Sequence, residues 1–215
     1  MKLVKTCRLL LLLGMLMMSA CSVVPPARDS TSAPPTLYAQ HLAELGRIVQ
    51  FSLKGRIGVQ TEKQGFSGSI QWVHAPAVDE ISLFSPLGSQ VASITSDNTG
   101  VRLINSDGKI YEEVSAETLT QKTLGWSLPM TGLSDWVLGR PTASTIKDIS
   151  WDEEGRIKTL FQDGWQIEYG QYITINGATL QGKVFLKSPK LNLKFLIETW
   201  SVETDLSATN KEILN

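Results

Sequence analysis

The chain reads as a mainly β protein, an antiparallel sheet curled into a barrel or part of one. Three observations predict that class. Apolar residues recur at every second position in run after run, the spacing of strands with one face in a core and one in water. Pairs rich in Asn, Asp and Gly, which tolerate positive φ, separate the runs as tight turns. One stretch of about thirty residues near the middle switches to helical spacing before strands resume.

Residues 1–20 stand apart from that pattern. Lys2, Lys5 and Arg8 form a basic start, Leu9 to Met18 an apolar run, and Ser19 and Ala20 supply small residues before Cys21. This is the layout of a secretory signal peptide; an apolar run of about ten residues is too short for the ~20 of a membrane-spanning helix. Cys21, directly after the expected cleavage site, resembles the lipobox of bacterial lipoproteins, against an ordinary signal peptide followed by an accidental cysteine. The resemblance implies cleavage before Cys21, a diacylglycerol on its thiol and an acyl chain on the new amino group. In such lipoproteins Asp after the cysteine favours retention at the inner membrane. Ser22 therefore implies the outer membrane, facing the periplasm.

Loss of Lys2, Lys5 and Arg8 leaves 17 basic against 21 acidic residues, a formal charge of about −4. No basic stripe suggests nucleic acid, and no polybasic patch would hold an anionic membrane without lipid. Cys7 leaves with the signal peptide and Cys21 is acylated, so no intramolecular disulfide is expected. Residues 21–36 are rich in Pro, Ser and Thr and read as a lipidated tether reaching at most ~50 Å. Residues 37–202 are long enough for one domain with a sizeable core.

Within that domain Tyr38, Leu42, Leu45 and Val49 fall on one helical stripe. Strands follow. Phe51, Leu53, Ile57 and Val59 alternate with polar residues, as do Phe66, Ile70 and Trp72. Further strands are expected from Ile81 and near 89–95, 100–105 and 109–112, with turns at Asn98-Thr99-Gly100 and Asp107-Gly108. Residues 115–124 predict a helix capped by Ser115 and stopped by Gly125; a second runs near 131–138, closed by Gly139 and Pro141. Strands near 146–152, 156–162, 164–171, 182–188 and 190–201 complete about eleven, and residues 203–215 read as a frayed tail. The helical stretch carries more apolar residues than one lid stripe needs, Trp126, Leu128, Met130 and Trp136 among them. A barrel of this size is either filled by side chains or holds one small ligand, and the residues alone leave both open.

Catalytic chemistry has little to stand on. His41 and His74 are the only histidines and read as surface or cap residues. Two histidines without a thiol make poor zinc ligands, and no phosphate-cradling loop ending in Gly-Lys-Ser or Gly-Lys-Thr occurs. No enzyme, metal or cofactor is expected beyond the covalent lipid. The more informative stretch is Phe84-Ser85-Pro86-Leu87-Gly88-Ser89, where Pro86 and Gly88 force a loop. Leu87 either tucks into the core or stands out as an apolar tip for a membrane or hydrophobic partner.

Gly55-Arg56-Ile57-Gly58-Val59, Ser85-Pro86-Leu87-Gly88-Ser89, Leu128-Pro129-Met130 and Ser134-Asp135-Trp136-Val137-Leu138-Gly139 occur in this order behind a lipoprotein start and before Trp200-Ser201-Val202. In this the chain resembles the LolB family, the outer-membrane receptors of the lipoprotein localisation pathway. The resemblance implies an incomplete antiparallel barrel of about eleven strands, with a few short helices covering an apolar cavity that receives acyl chains. It implies a membrane-insertion loop at Pro86, Leu87 and Gly88, and a cavity wall drawn from Trp126, Leu128, Met130 and Trp136. Ser85 departs from the Asn associated with this loop, which bears on the turn rather than the tip. The partners implied are a LolA-like periplasmic carrier, the acyl chains of client lipoproteins and outer-membrane lipid, with transfer independent of ATP and a monomer expected. A lipid-anchored scaffold of an envelope complex is the main alternative; a periplasmic enzyme acting on lipid or envelope sugar is the third.

Overall fold

The computed structural model describes residues 35–205, Asn176 excepted. The signal peptide, Cys21, the tether as far as residue 34 and the tail beyond residue 205 lie outside the described residues.

Helix α1 (Pro35–Gly46) leads into β1 (Ile48–Thr61). The sequence stripe carried the helix to Val49, but Gly46 ends it, and Val49 lies exposed in the strand between buried Ile48 and Phe51. The reason is physical: the step from Leu45 to Val49 fits a helical turn, and the irregularity of β1 between Ile48 and Gln50 takes Val49 out of the strand's own alternation.

Strands β2 (Gly65–Ala75), β3 (Val78–Phe84), β4 (Gln90–Asp97), β5 (Gly100–Asn105) and β6 (Ile110–Glu113) form an antiparallel meander. After helices α2 (Ala116–Leu124) and α3 (Met130–Leu138) come β7 (Ile146–Trp151), β8 (Ile157–Gln162), β9 (Trp165–Ile175), β10 (Ala178–Lys187) and β11 (Leu191–Thr204). All eleven join one sheet in the order β6-β5-β4-β3-β2-β1-β11-β10-β9-β8-β7. The two longest strands pair at its centre, the meanders spread to either side, and β6 and β7 remain edges, so the sheet is not closed into a barrel. The expected incomplete barrel is this open sheet. Its sequence-based strand limits fall short at β9 and β10, which continue to Ile175 and from Ala178. The left-handed Gln171 (φ 58°) kinks β9 at the residue where the alternation predicts its end.

The helices carry the chain from edge to edge: α2 packs on β5 and β6, and α3 on β10. Their apolar residues join the inward side chains of the strands in one core, with Leu53, Ile57, Trp72, Leu103, Leu133, Trp136 and Phe195 all fully buried. Gly55 permits a bulge in β1, because a Cβ there would lie 2.1 Å from the Leu196 carbonyl oxygen. We call the end of the sheet where β1 begins the lower end. The β1–β2, β3–β4 and β5–β6 turns lie at the upper end.

Candidate functional site

The β3–β4 turn holds its shape without its apolar side chain. The Ser85 N–H donates to the Ser89 carbonyl (2.8 Å), the Gly88 N–H to the Ser85 carbonyl (2.9 Å) and the Ser89 N–H to Ser85 Oγ (3.2 Å). Pro86 presets one φ of the three-residue loop, and Gly88 supplies the left-handed residue that such loops require (φ 87°). Leu87 between them is 94% exposed. Of the two placements open from sequence, the structure has the side chain in solvent.

Just inside the loop is an apolar cleft of about 190 Å³. Leu83 precedes the loop and Val91 follows it; both line the cleft, with Val59, Phe66, Leu124 and Trp126. Helix geometry delivers the last two. Ser115 caps α2 through the Thr118 N–H, and Gly125 ends it in a left-handed conformation with its N–H on the Thr120 carbonyl. The buried Thr120 hydroxyl donates to the Ala116 carbonyl (2.7 Å) and accepts from the Leu128 N–H (2.8 Å), which turns Trp126–Leu128 inward. Gln64, in the β1–β2 turn, donates from Nε2 to the Leu124 carbonyl at 3.2 Å, joining that turn to the helix end across the cleft.

Of the four residues expected to line a cavity, Trp126 does so here. Leu128 and Trp136 are 1% exposed within the core, and the half-buried Met130 packs against it at the start of α3. Trp136 is further fixed by its Nε1, which donates to Gln162 Oε1 at 3.1 Å.

A family model for the outer membrane lipoprotein LolB matches residues 49–200. The chain belongs to the LolB family. A relative named outer-membrane lipoprotein LolB from Nitrosomonas europaea is 39% identical over 156 residues, covering 72% of this chain and 74% of its own. A relative of the same name from Nitrosococcus oceani is 32% identical over 201 residues, covering 92% and 99%. Among solved structures, a LolA superfamily protein from Nitrosomonas europaea aligns at TM-score 0.46 and 8% identity over 80% of this chain and 96% of that one. Membership of the LolB family places the chain at the outer membrane.

In the sequence of this LolB-family chain Val59, Phe66 and Leu83 stand out only as strand core, and nothing marks Gln64, Val91 or Leu124 as meeting them at a cleft. The alternation showed which way Val59, Phe66 and Leu83 face; that α2 ends opposite them is visible only in three dimensions. His41 and His74, read as surface or cap residues, are both packed. His41 is buried on α1, and burial lowers its pKa below the ordinary 6.5, outweighing the opposing effect of the Glu44 carboxylate. His74 Nδ1 lies 2.7 Å from Asp79 Oδ1, which also accepts the Trp72 Nε1–H at 2.7 Å. Desolvation pushes Tyr172 up to about 12, and its hydroxyl donates to the Ile157 carbonyl (2.7 Å). Among the described residues no group of three or more His, Cys, Asp or Glu is placed to hold a metal, and no helix is long and apolar enough to cross a membrane.

Proposed function

We propose that this LolB-family chain is an outer-membrane receptor that takes acylated lipoproteins from a soluble, LolA-like periplasmic carrier and passes their acyl chains to the membrane. The observation that supports it most is the junction of cleft and tip: Leu83 and Val91 line the apolar cleft, and the short loop between them presents Leu87 to solvent. An acyl chain in the cleft would therefore lie beside the side chain best placed to enter a bilayer. Burying one leucine there is worth about 1.5–3 kcal/mol.

At about 190 Å³ the cleft is smaller than the ~300–1,000 Å³ of ordinary ligand sites, so uptake requires the end of α2 to move away from Gln64. Burial of acyl chain is worth about 0.8 kcal/mol per CH₂, enough to drive transfer without ATP if the receptor binds the chains more tightly than the carrier. In this reading residues 1–20 are removed, Cys21 carries the lipid, residues 21–36 tether a monomeric domain, and no catalytic step occurs. The test mixes a lipoprotein-loaded carrier with the mature full-length chain in vesicles and follows the cargo by flotation. Cargo that reaches the vesicles only when the chain is present supports the receptor. Cargo that stays on a competent carrier sinks it and favours a scaffold.

A further inference from the structure

Gly58 and Gly55 lie in the same strand, but only Gly55 is explained by packing. A Cβ on Gly58 would meet nothing nearer than Lys194 Cβ at 3.8 Å, and Gly58 is not among the residues of positive φ. Glycine inside a strand weakens it and marks a bulge, a tight bend or close approach of a ligand or another backbone; the register on both sides of Gly58 is regular, so there is no bulge at this position. Gly58 faces away from the core, and over it lies a depression of about 300 Å³. Two rows of side chains frame that depression. In one, Gly58 pairs with Lys194 and Lys194 with Phe185; in the next, Gln60 pairs with Asn192 and Asn192 with Lys187. Lys194 Nζ lies 5.3 Å from the Phe185 ring centroid, and Lys187 Nζ lies 2.8 Å from Glu168 Oε1. Two ammonium groups against one carboxylate give the depression a positive charge, and the adjacent Arg56–Glu198 pair (3.3 Å) adds none.

We infer that this depression binds the headgroup of an anionic glycerophospholipid. Lys194 and Lys187 would face the phosphate, the Gln60 and Asn192 amides the glycerol oxygens, and Phe185 the first methylenes. Its position favours a lipid over an acidic peptide. Gly58 pairs with Ser67, and Ser69 pairs with Phe84, so the register puts Gly58 level with Pro86 two strands away, ~10 Å across the sheet. If Leu87 is the membrane-contacting tip, as proposed above and as this inference assumes, the depression lies at the depth of the headgroups.

The mature full-length lipoprotein in neutral detergent is titrated calorimetrically with dihexanoyl phosphatidylglycerol below its micellar concentration. Saturable binding is expected, weakened about tenfold or more by Lys187→Gln with Lys194→Gln, and likewise by Gly58→Gln, which fills the floor. Thermal unfolding checks that each variant is folded. Leu87→Glu should bind as wild type here, so failure of the tip reading and failure of this one are separable. Equal affinity for dihexanoyl phosphatidylcholine, or unchanged affinity in both the lysine and glycine variants, would overturn the inference. Glycerol 3-phosphate binding as tightly as the lipid would overturn the lipid assignment.

Discussion

The lower end of the sheet and the upper corner formed by β1–β4 are built from similar side chains to opposite ends. At the lower end aromatic rings lock together. Phe51 packs edge-on against Trp72 (5.2 Å) and Trp200 (5.4 Å) and stacks on His74, while Tyr38 of α1 packs on Trp151. Two arginines tie elements together there, Arg140 across more than ninety residues and Arg156 from the β7–β8 turn to β9. Arg140 reaches Asp135 and the Leu45 and Ile48 carbonyls; Arg156 pairs with Asp152 and Glu154 and lies 4.0 Å from the Tyr172 ring centroid. The Asp205 N–H donates to the Arg47 carbonyl, closing the domain on itself. The upper corner holds an exposed leucine, a small open cleft and one side-chain hydrogen bond across it. Cohesion is concentrated where the chain enters and leaves, and the loosely held corner is the one that the proposed function would have open and touch lipid.

The contrast is sharpest when one apolar residue is changed at each end. Trp72→Ala should cost about 3–5 kcal/mol in urea unfolding, since it empties a fully buried site and deprives Asp79 of a donor. A loss below about 1 kcal/mol would remove the case for a clamped lower end. Leu87→Glu should stay within about 0.5 kcal/mol of wild type, because the turn's hydrogen bonds do not involve its side chain. Its effect should fall on function instead: cargo taken up from the carrier but not released to vesicles. Lost folding or lost uptake in that variant would make Leu87 structural or receptive.

The sequence shows this difference only in part. Alternation in Phe51–Val59 and Leu191–Ile197 revealed strands and their inward faces, and Ser115, Gly125 and Gly139 marked helix ends where the structure has them, because caps and turns are local. Pro86 and Gly88 likewise announced the loop, but whether Leu87 points in or out depends on what packs beneath it. Trp126, Leu128, Met130 and Trp136 look alike in sequence. They part company only because Thr120 turns the chain after α2, and because Gln162, on a strand more than twenty residues later, receives the Trp136 indole. The Gln64–Leu124 contact joins residues sixty apart through a backbone carbonyl, so no side-chain pattern encodes it.

That contact allows a finer comparison. Gln64→Ala removes one exposed hydrogen bond, so it should lower stability by about 0.5–1.5 kcal/mol at most, while speeding acyl uptake by freeing the end of α2. Stopped-flow quenching of tryptophan fluorescence by a brominated fatty acid would measure this, with the Trp126 component taken as the difference from Trp126→Phe. Uptake at the wild-type rate would show that the bond does not restrain the cleft.

The smallest effect is expected from pH, and it should belong to the lower end alone. His41 is buried on α1 with its Nε2 lacking a hydrogen-bond partner, and desolvation holds its pKa below 6.5, ahead of the opposing pull of Glu44 and the weaker effects of Arg156 and Asp152. The unfolded chain takes up this proton near pH 6.5, whereas the folded chain resists it until lower pH. Between those values the unfolded state binds more protons, so His41's contribution is complete above about pH 6.5 and is lost as pH falls towards the folded pKa. Unfolding free energies of wild type and His41→Gln, compared from about pH 7.5 down to about pH 5.5, should show the shallower decline in the variant. Leu87→Glu should follow the wild-type decline through most of that range, because its new carboxyl is exposed at the opposite end and titrates near 4.3. Parallel curves for wild type and His41→Gln would mean that the proton enters elsewhere, and that α1 is not the acid-sensitive part of the clamp.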